Sequence, residues 1–148
     1  MTGQTFYMLL KSWVELVLPG TPYIRAQQNI AKPAGTYIAI EDDVDWIPFG
    51  REGLEQDLTT SAVRTDYTSA PAFWEVSNGS GYGDSLRSLR DSLGTVAVRK
   101  LFSDAGVGSL HVGDIVSMPW TSTETQVFRE KRMEVRFSVA SKQLKRTQ

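Results

Sequence analysis

The chain has 148 residues, of which 41% are hydrophobic and 22% are charged, and it contains no cysteine. This length predicts one domain that buries roughly two-thirds of its unfolded surface without covalent cross-links. Disulfide frameworks, thiolate zinc sites and cysteine nucleophiles are excluded, and the formal net charge of -1 argues against a whole-molecule polyanion binder.

Charge is unevenly distributed along the chain. Residues 129–148 carry seven cations and two anions, a net charge of +5, while residues 41–66 carry eight acids and two arginines, a net charge of -6. The last residues, 141–148, are polar and basic, and they are predicted to be an extended tail. The pattern predicts a molecule with two electrically opposite ends.

The N-terminal segment has the spacing of an amphipathic helix that ends at Pro19 and Gly20. It contains the longest apolar stretch, 6–18, but Lys11 and Glu15 interrupt this stretch and it is too short to span a bilayer. It lacks the features of a signal peptide, so we expect synthesis in the cytosol and no membrane partner. The predicted buried stripe consists of Phe6, Leu9, Leu10, Trp13, Leu16 and Val17.

Two strands are predicted on either side of a long polar stretch. Residues 38–46 alternate between apolar and polar side chains, which is typical of a half-buried strand. Residues 72–77 also alternate, and they are predicted to return antiparallel to the first strand. Between them, residues 50–69 are polar with little apolar periodicity, and the acidic region 41–70 as a whole is interpreted as a long hairpin or loop excursion, because connections beyond ~12–15 residues are usually functional or mobile.

A helix pair and two further strands complete the predicted elements. Asp84 or the adjacent serine caps the first helix of the pair, Thr95 caps the second, and Gly106 ends it. Residues 110–118 and 127–140 then alternate as strands. This order predicts one two-layer α+β domain over residues 1–140, with about four largely antiparallel strands and all helices on one face.

No catalytic, metal or cofactor site is visible in the sequence. The acidic cluster at 41–45 lacks EF-hand spacing, so a solvated strand edge is the favoured interpretation. The glycine-rich segment 79–83 lacks the lysine of a P-loop and is interpreted as a plain turn. The single histidine, His111, belongs to no recognisable Ser/His/Asp arrangement. We therefore predict no enzyme activity, no cofactor and no metal.

A row of alternating charges is the most informative surface feature. Glu130, Arg132, Glu134 and Arg136 share one face of the last strand, about 7 Å from one to the next. The row is either a solvated outer face or a charge ladder against another subunit, where such pairs set register and orientation. Exposed pairs contribute only ~0–1 kcal/mol each, so stability is a poor reason for the row. Trp120, in a Thr/Ser-rich turn, is the tryptophan expected to meet a partner.

A series of short segments is spread over most of the chain. They are 13–21, 27–29 with Pro33, 37–40, Trp74-Glu75-Val76, Gly81-Tyr82-Gly83-Asp84, Ala105-Gly106-Val107-Gly108 and 132–139. The series resembles the neck or tail-terminator proteins of tailed bacteriophages. The first three segments resemble the opening of these proteins, and the last four lie where the family has a strand, a helix start, a helix exit and the final strand.

The resemblance implies a two-layer α+β virion subunit that forms a six-membered ring at the head-proximal end of the tail tube. Its partners would be further copies of itself, the tail tube protein, the head–tail connector proteins and a sheath protein where the tail has one. DNA would pass through the lumen without sequence-specific binding, and the protein would do no chemistry.

The same resemblance gives the two charged segments a role. The acidic region, with Asp42, Asp43 and Asp45, and the basic region 129–148 would be complementary surfaces between ring neighbours or between ring and tube. A heterologous ring needs two different patches on each subunit, and opposite charge suits them.

Two other interpretations remain open at this point. The chain could be a small cytoplasmic binding module that uses Lys142, Lys145 and Arg146 of its basic tail on nucleic acid or an acidic partner, with salt-sensitive affinity. It could also be a small enzyme around Asp84, Ser85 and His111, for which no substrate can be named.

Overall fold

Three helices and nine strands lie in the part of the chain that the computed structural model describes, which comprises residues 3–26, 35–42, 45–48, 66–78, 84–117, 121–122 and 127–140. No helix in these ranges is long and apolar enough to cross a membrane. The elements, in chain order, are α1 (Gly3–Val17), β1 (Tyr23–Arg25), β2 (Tyr37–Glu41), β3 (Ile47–Pro48), β4 (Asp66–Ser69), β5 (Ala72–Asn78), α2 (Ser85–Ser92), α3 (Val96–Asp104), β6 (Gly108–Val112), β7 (Val116–Ser117), β8 (Thr121–Ser122) and β9 (Val127–Ala140).

The sheet is built around β9. This strand pairs antiparallel with β5 and β4 along one edge and with β8, β7 and β6 along the other. β2 pairs antiparallel with β5, and β3 pairs antiparallel with β4, whereas β1 runs parallel to β2. The path through the sheet is therefore β1-β2-β5-β9-β4-β3, with β6, β7 and β8 attached to β9.

The predicted four-stranded sheet is too small, because the described residues contain nine strands. Much of the difference comes from interruptions of longer strands. β4 and β5 keep one register on β9 across Ala70 and Pro71, and the Pro71 carbonyl accepts the Val135 N–H at 3.2 Å. On the other edge, the register shifts by one residue within β6, between β6 and β7, and between β7 and β8. β4 and β8 fall in stretches predicted to be an excursion and a turn, and β1 follows the helix end at Pro19 and Gly20, where no strand is predicted.

The three helices lie on one face of the sheet, and the predicted α+β class is confirmed. At the edge of the α1 stripe, Val14 is buried and Leu16 is 51% exposed, which corrects the predicted stripe. Val14 and Leu16 lie on opposite sides of the stripe. Helical periodicity alone does not indicate which of the two side chains the neighbouring helices bury. The core combines Phe6, Leu9, Leu10, Trp13 and Val14 of α1, Leu86 and Leu89 of α2, Val98 and Phe102 of α3, Val107, and Ile38, Ile40, Phe73, Met133, Val135, Phe137 and Val139 of the sheet.

Trp13 lies at the centre of this core. Its ring contacts Phe73, Phe102 and Phe137 edge to face, with centroid separations of 5.2, 5.5 and 6.3 Å. The indole N–H donates to the Ser92 hydroxyl at 2.9 Å, and this hydroxyl donates to a backbone carbonyl of α2 at 2.6 Å. A buried indole needs such a partner, and here the bond ties α1 to the end of α2.

Glu75 of β5 caps the neighbouring helix α2. Glu75 is 2% exposed, and one of its carboxylate oxygens accepts the backbone N–H groups of Ser85 at 2.7 Å and Leu86 at 3.2 Å. These groups have no partner inside the helix, and the helix dipole favours a negative charge beside them. Asp84, a predicted cap, makes no side-chain capping bond. Thr95 caps α3 as predicted.

Replacing Glu75 with Gln should lower the free energy of unfolding by about 1–2 kcal/mol, because the helix start loses a charged, buried acceptor. Urea unfolding followed by tryptophan fluorescence measures the change. The matched control is Glu134→Gln, an exposed position in the same sheet, where we expect a change within about 0.5 kcal/mol. Equal losses in the two variants would contradict the capping role.

Side chains fasten the edge strand β1 to α1 and β2. The Tyr23 hydroxyl donates to the Glu15 carboxylate of α1. Arg25 forms a bidentate pair with Asp42, with Nε at 2.9 Å from Oδ1 and Nη2 at 2.7 Å from Oδ2. The Arg25 guanidinium also lies 4.6 Å from the centroid of the Tyr7 ring. These contacts attach an edge strand of three residues, which has few backbone bonds of its own.

The hydrogen bond to Glu15 raises the pKa of Tyr23 from its ordinary value of 10.0 to about 12, and burial and the charge of Glu15 act in the same direction. Between pH 10 and pH 12 the unfolded chain loses this proton while the folded chain keeps it, so the free energy of unfolding should fall as pH rises.

An ultraviolet absorbance titration of the phenolates, assigned with Tyr23→Phe, measures this pKa. We expect Glu15→Ala to move it back towards 10, whereas Glu134→Ala should leave it unchanged. A Tyr23 that titrates near 10 in the unaltered chain would show that the hydrogen bond does not form.

Candidate subunit interface

Within the described residues, one face of the sheet carries no helix, and we call it the helix-free face. Strand alternation sends to this face the residues that lie between the core residues. Four directly opposed residues form a row across it, namely Ala39 of β2, Trp74 of β5, Arg132 of β9 and Val116 of β7. Trp74 therefore lies near the middle of the helix-free face.

Trp74 joins charged side chains of the two neighbouring strands. Its indole N–H donates to the Glu41 carboxylate at 2.9 Å, and the Arg132 guanidinium lies 5.5 Å from the centroid of its ring. Arg132 pairs in turn with Glu134 at 2.7 Å, where the two side chains are 32% and 48% exposed. Water screens an exposed ion pair of this kind, so the interaction strengthens when another surface covers it.

Two shallow depressions flank Trp74. The first has a volume of about 350 Å³, a floor of buried apolar residues and two half-buried acids, and we call it the Tyr37 depression. The second has a volume of about 520 Å³ and contains Val116, which is 52% exposed. The Tyr37 depression is lined by Ile24, Ala26, Tyr37, Ala39, Glu41, Trp74, Val76 and Glu130, and the second by Trp74, Gly113, Asp114, Val116, Arg132 and Glu134.

Glu130 gives the Tyr37 depression a negative charge. Tyr37 and Glu130 lie on either side of Val76 in one cross-strand row. Burial raises the pKa of Tyr37, and the charge of Glu130 raises it further. With Glu41 on the same face, the depression combines an apolar floor with two acids, which favours a ligand that is apolar with adjacent cations.

The predicted charge row follows the alternation of β9. Met133, Val135, Phe137 and Val139 are buried, and the residues between them point to the other side. Glu130, Arg132 and Glu134 line the depressions beside Trp74. Arg136 lies further along β9, is exposed, and donates to the Thr68 hydroxyl at 3.1 Å.

Asp42 is a correction to the predicted interface residues. Its side chain is 2% exposed and is bound to Arg25 of the same subunit, so its carboxylate has an internal partner. Asp45 is exposed just before β3, and Asp43 and Trp120 lie outside the described residues. The favoured interpretation of this cluster as a solvated edge is also wrong for Glu41 and Asp42. In the ranges that the structure describes, no group of three or more His, Cys, Asp or Glu side chains could hold a metal.

The acidic and basic segments are neighbours in space. Asp66 begins β4 directly opposite Ala140 at the end of β9, and the two strands pair along four positions. The described ends of the two segments thus lie side by side in one sheet, so separation of charge along the sequence does not by itself define two separate patches.

Trp74 is the interface candidate that sequence reasoning missed. The alternation of residues 72–77 puts Trp74 on the more apolar parity of β5, whereas the structure turns Phe73 and Glu75 of the other parity towards the helices. Glu75 faces them because it caps α2, and this turns Trp74 to the helix-free face. The signal that identifies Trp74 as an interface candidate is its position opposite Arg132. This position can be found only when the register between β5 and β9 is known.

No protein-family model and no curated protein sequence matches the chain. Sixteen chains of solved structures match it. One of them is 19% identical in sequence and aligns over 90% of this chain and 89% of its own length, with a TM-score of 0.39. A likeness at this TM-score carries no argument, so function has to be argued from the residues of this chain.

Asp42→Asn should lower the free energy of unfolding by about 2 kcal/mol, because Arg25 loses a bidentate, charged acceptor and keeps its own charge partly buried. The matched control is Asp45→Asn, at an exposed acid three residues away, which should change stability by less than about 0.5 kcal/mol. Thermal unfolding of both variants at one pH measures the difference. If Asp42→Asn left the stability unchanged, Asp42 would again be a candidate interface residue.

Proposed function

We propose that this protein is a structural virion subunit that forms a ring at the head-proximal end of a bacteriophage tail tube and joins the tail to the head connector. The resembling segments 13–21, 74–76, 105–108 and 132–139 support the proposal. They correspond here to the end of α1, the middle of β5, the exit from α3 and most of β9. The four segments thus follow the order helix exit, strand, helix exit and final strand on which the resemblance rests.

The observation that carries the proposal is a chain of side-chain contacts on the helix-free face. It runs from Glu41 through Trp74 and Arg132 to Glu134. Tryptophan and arginine are enriched among the residues that contribute most to protein interfaces. In the isolated subunit this chain of contacts is partly hydrated, and exposed pairs contribute only ~0–1 kcal/mol each. A neighbouring subunit would exclude this water, bury the indole and use the charges to fix its register.

The proposed partners follow from this role. Further copies of the chain form the ring, with six subunits, and the ring contacts the tail tube protein, the connector proteins and a sheath where the tail has one. DNA passes through the lumen without sequence-specific contacts. Because the chain has no cysteine, disulfide bonds cannot join its subunits, and the proposed association uses surfaces such as the helix-free face.

Trp74→Ala should raise the dissociation constant for self-association about 30-fold, which is the effect of losing one central interface tryptophan. Mass photometry over a concentration series, with and without purified tail tubes, measures the change. The matched control is Leu16→Ala, which removes a 51% exposed apolar side chain from α1 and should change association by less than about threefold.

Electron microscopy of virions provides the complementary measurement. We expect the chain at one axial level between tail tube and connector, as a closed ring. A chain that stays monomeric with tail tubes present and is absent from purified particles would overturn the proposal.

A further inference from the structure

We infer that the start of α3 in one copy of this chain docks in the Tyr37 depression of the next copy. The inference rests on the proposed ring function and names the partner surface of the same site. It assigns the contact to two different patches of one chain, which lie on opposite sides of the subunit.

The first patch is the exposed start of α3. Val96, the first residue of the helix, is 83% exposed and is the most exposed of the large hydrophobic residues in the described part of the chain. Arg99 and Lys100 follow at i+3 and i+4, so they lie on the same side of the helix one turn further on, and both are exposed. The patch is a small apolar knob with two adjacent cations.

The two cations differ in their ion pairs within the subunit. Lys100 pairs with Asp104 at 3.0 Å, but the two side chains are 73% and 64% exposed. Arg99 has no ion pair with any described residue, and Thr95 fixes the helix start through its capping bond. A single exposed valine is ordinary on a protein surface. A capped helix start that presents a valine beside an arginine without an ion pair to the described residues is a feature that a partner can recognise.

The second patch, the Tyr37 depression, has complementary chemistry. Buried Tyr37, Ala39 and Val76 form an apolar floor, and its volume of about 350 Å³ admits a branched aliphatic side chain. Glu130 and Glu41 supply the negative charge, and Glu130 has no ion pair with a described residue. Val96 would fill the depression, with Arg99 and Lys100 beside the acids, so the contact would gain both apolar burial and charge pairing.

The positions of the two patches on the subunit determine which kind of assembly the contact forms. The depression lies on the helix-free face, and α3 lies in the helix layer on the other side of the sheet. A contact between them is heterologous, because each copy uses a different surface towards each neighbour. Heterologous contacts repeat around a closed ring when their rotation allows it, whereas a self-complementary contact stops at a dimer.

Cysteine cross-linking tests this contact, since the natural chain contains no cysteine and any disulfide must come from introduced residues. Val96→Cys in one full-length copy and Ala26→Cys in another should give a covalent dimer under mild oxidation. The matched control pairs Ala26→Cys with Ser88→Cys, an exposed position on α2, and each single variant is also oxidised alone. Neither control should cross-link above background.

Charge reversal tests the same contact in chains without cysteine. Arg99→Glu should weaken self-association about tenfold, and Glu130→Lys in the same chain should restore it, because the pair is then re-formed with opposite signs. Circular dichroism checks that each variant folds. Two results would overturn the inference and leave the proposed function standing. In the first, rings assemble normally but Val96→Cys and Ala26→Cys do not cross-link. In the second, Glu130→Lys does not restore the association that Arg99→Glu weakens. A chain that does not assemble even on tail tubes would overturn both.

Discussion

The structure depends on the strict alternation of side chains along β9. One parity of this strand gives Met133, Val135, Phe137 and Val139 to the core, and the other gives the charged residues of the helix-free face. Five other strands pair with β9, so its two faces set the two faces of the whole sheet. A shift of one residue would exchange these faces and bury charge in the core, and the burial of four large apolar side chains opposes it.

Two buried acids show how the protein uses charge internally. Glu75 accepts hydrogen bonds from the N–H groups at the start of α2 that have no partner within the helix, and Asp42 holds Arg25 against the edge of the sheet. Each acid is satisfied by donors from a different element, so each fixes how two elements meet. The surface charges that remain available for partners are consequently fewer than the sequence suggests. They include Glu130 and Arg132, which lie beside Trp74 on the helix-free face.

Sequence periodicity predicted the elements whose burial is one-sided. α1, the helix pair and β9 each have one buried face, and their patterns show it directly. β5 is different because both of its faces are largely covered, and its more apolar parity, which includes Trp74, is the one that faces away from the helices. β1 and β4 have only three and four residues, and their pairing depends on β2 and β9, which local sequence does not encode. Asp42 was placed at a partner surface because its ion pair joins residues 17 positions apart.

The two edges of β9 also differ in how they accommodate changes of chain length. Along β6, β7 and β8 the register on β9 is already offset three times, once within β6 and once between each pair of successive strands. Along β4 and β5 the register continues unbroken through Pro71, with no residue to spare. Insertions and deletions should therefore be better accommodated on the first edge than on the second. Divergent relatives should vary in length between 108 and 122 while keeping the spacing from 66 to 78 constant.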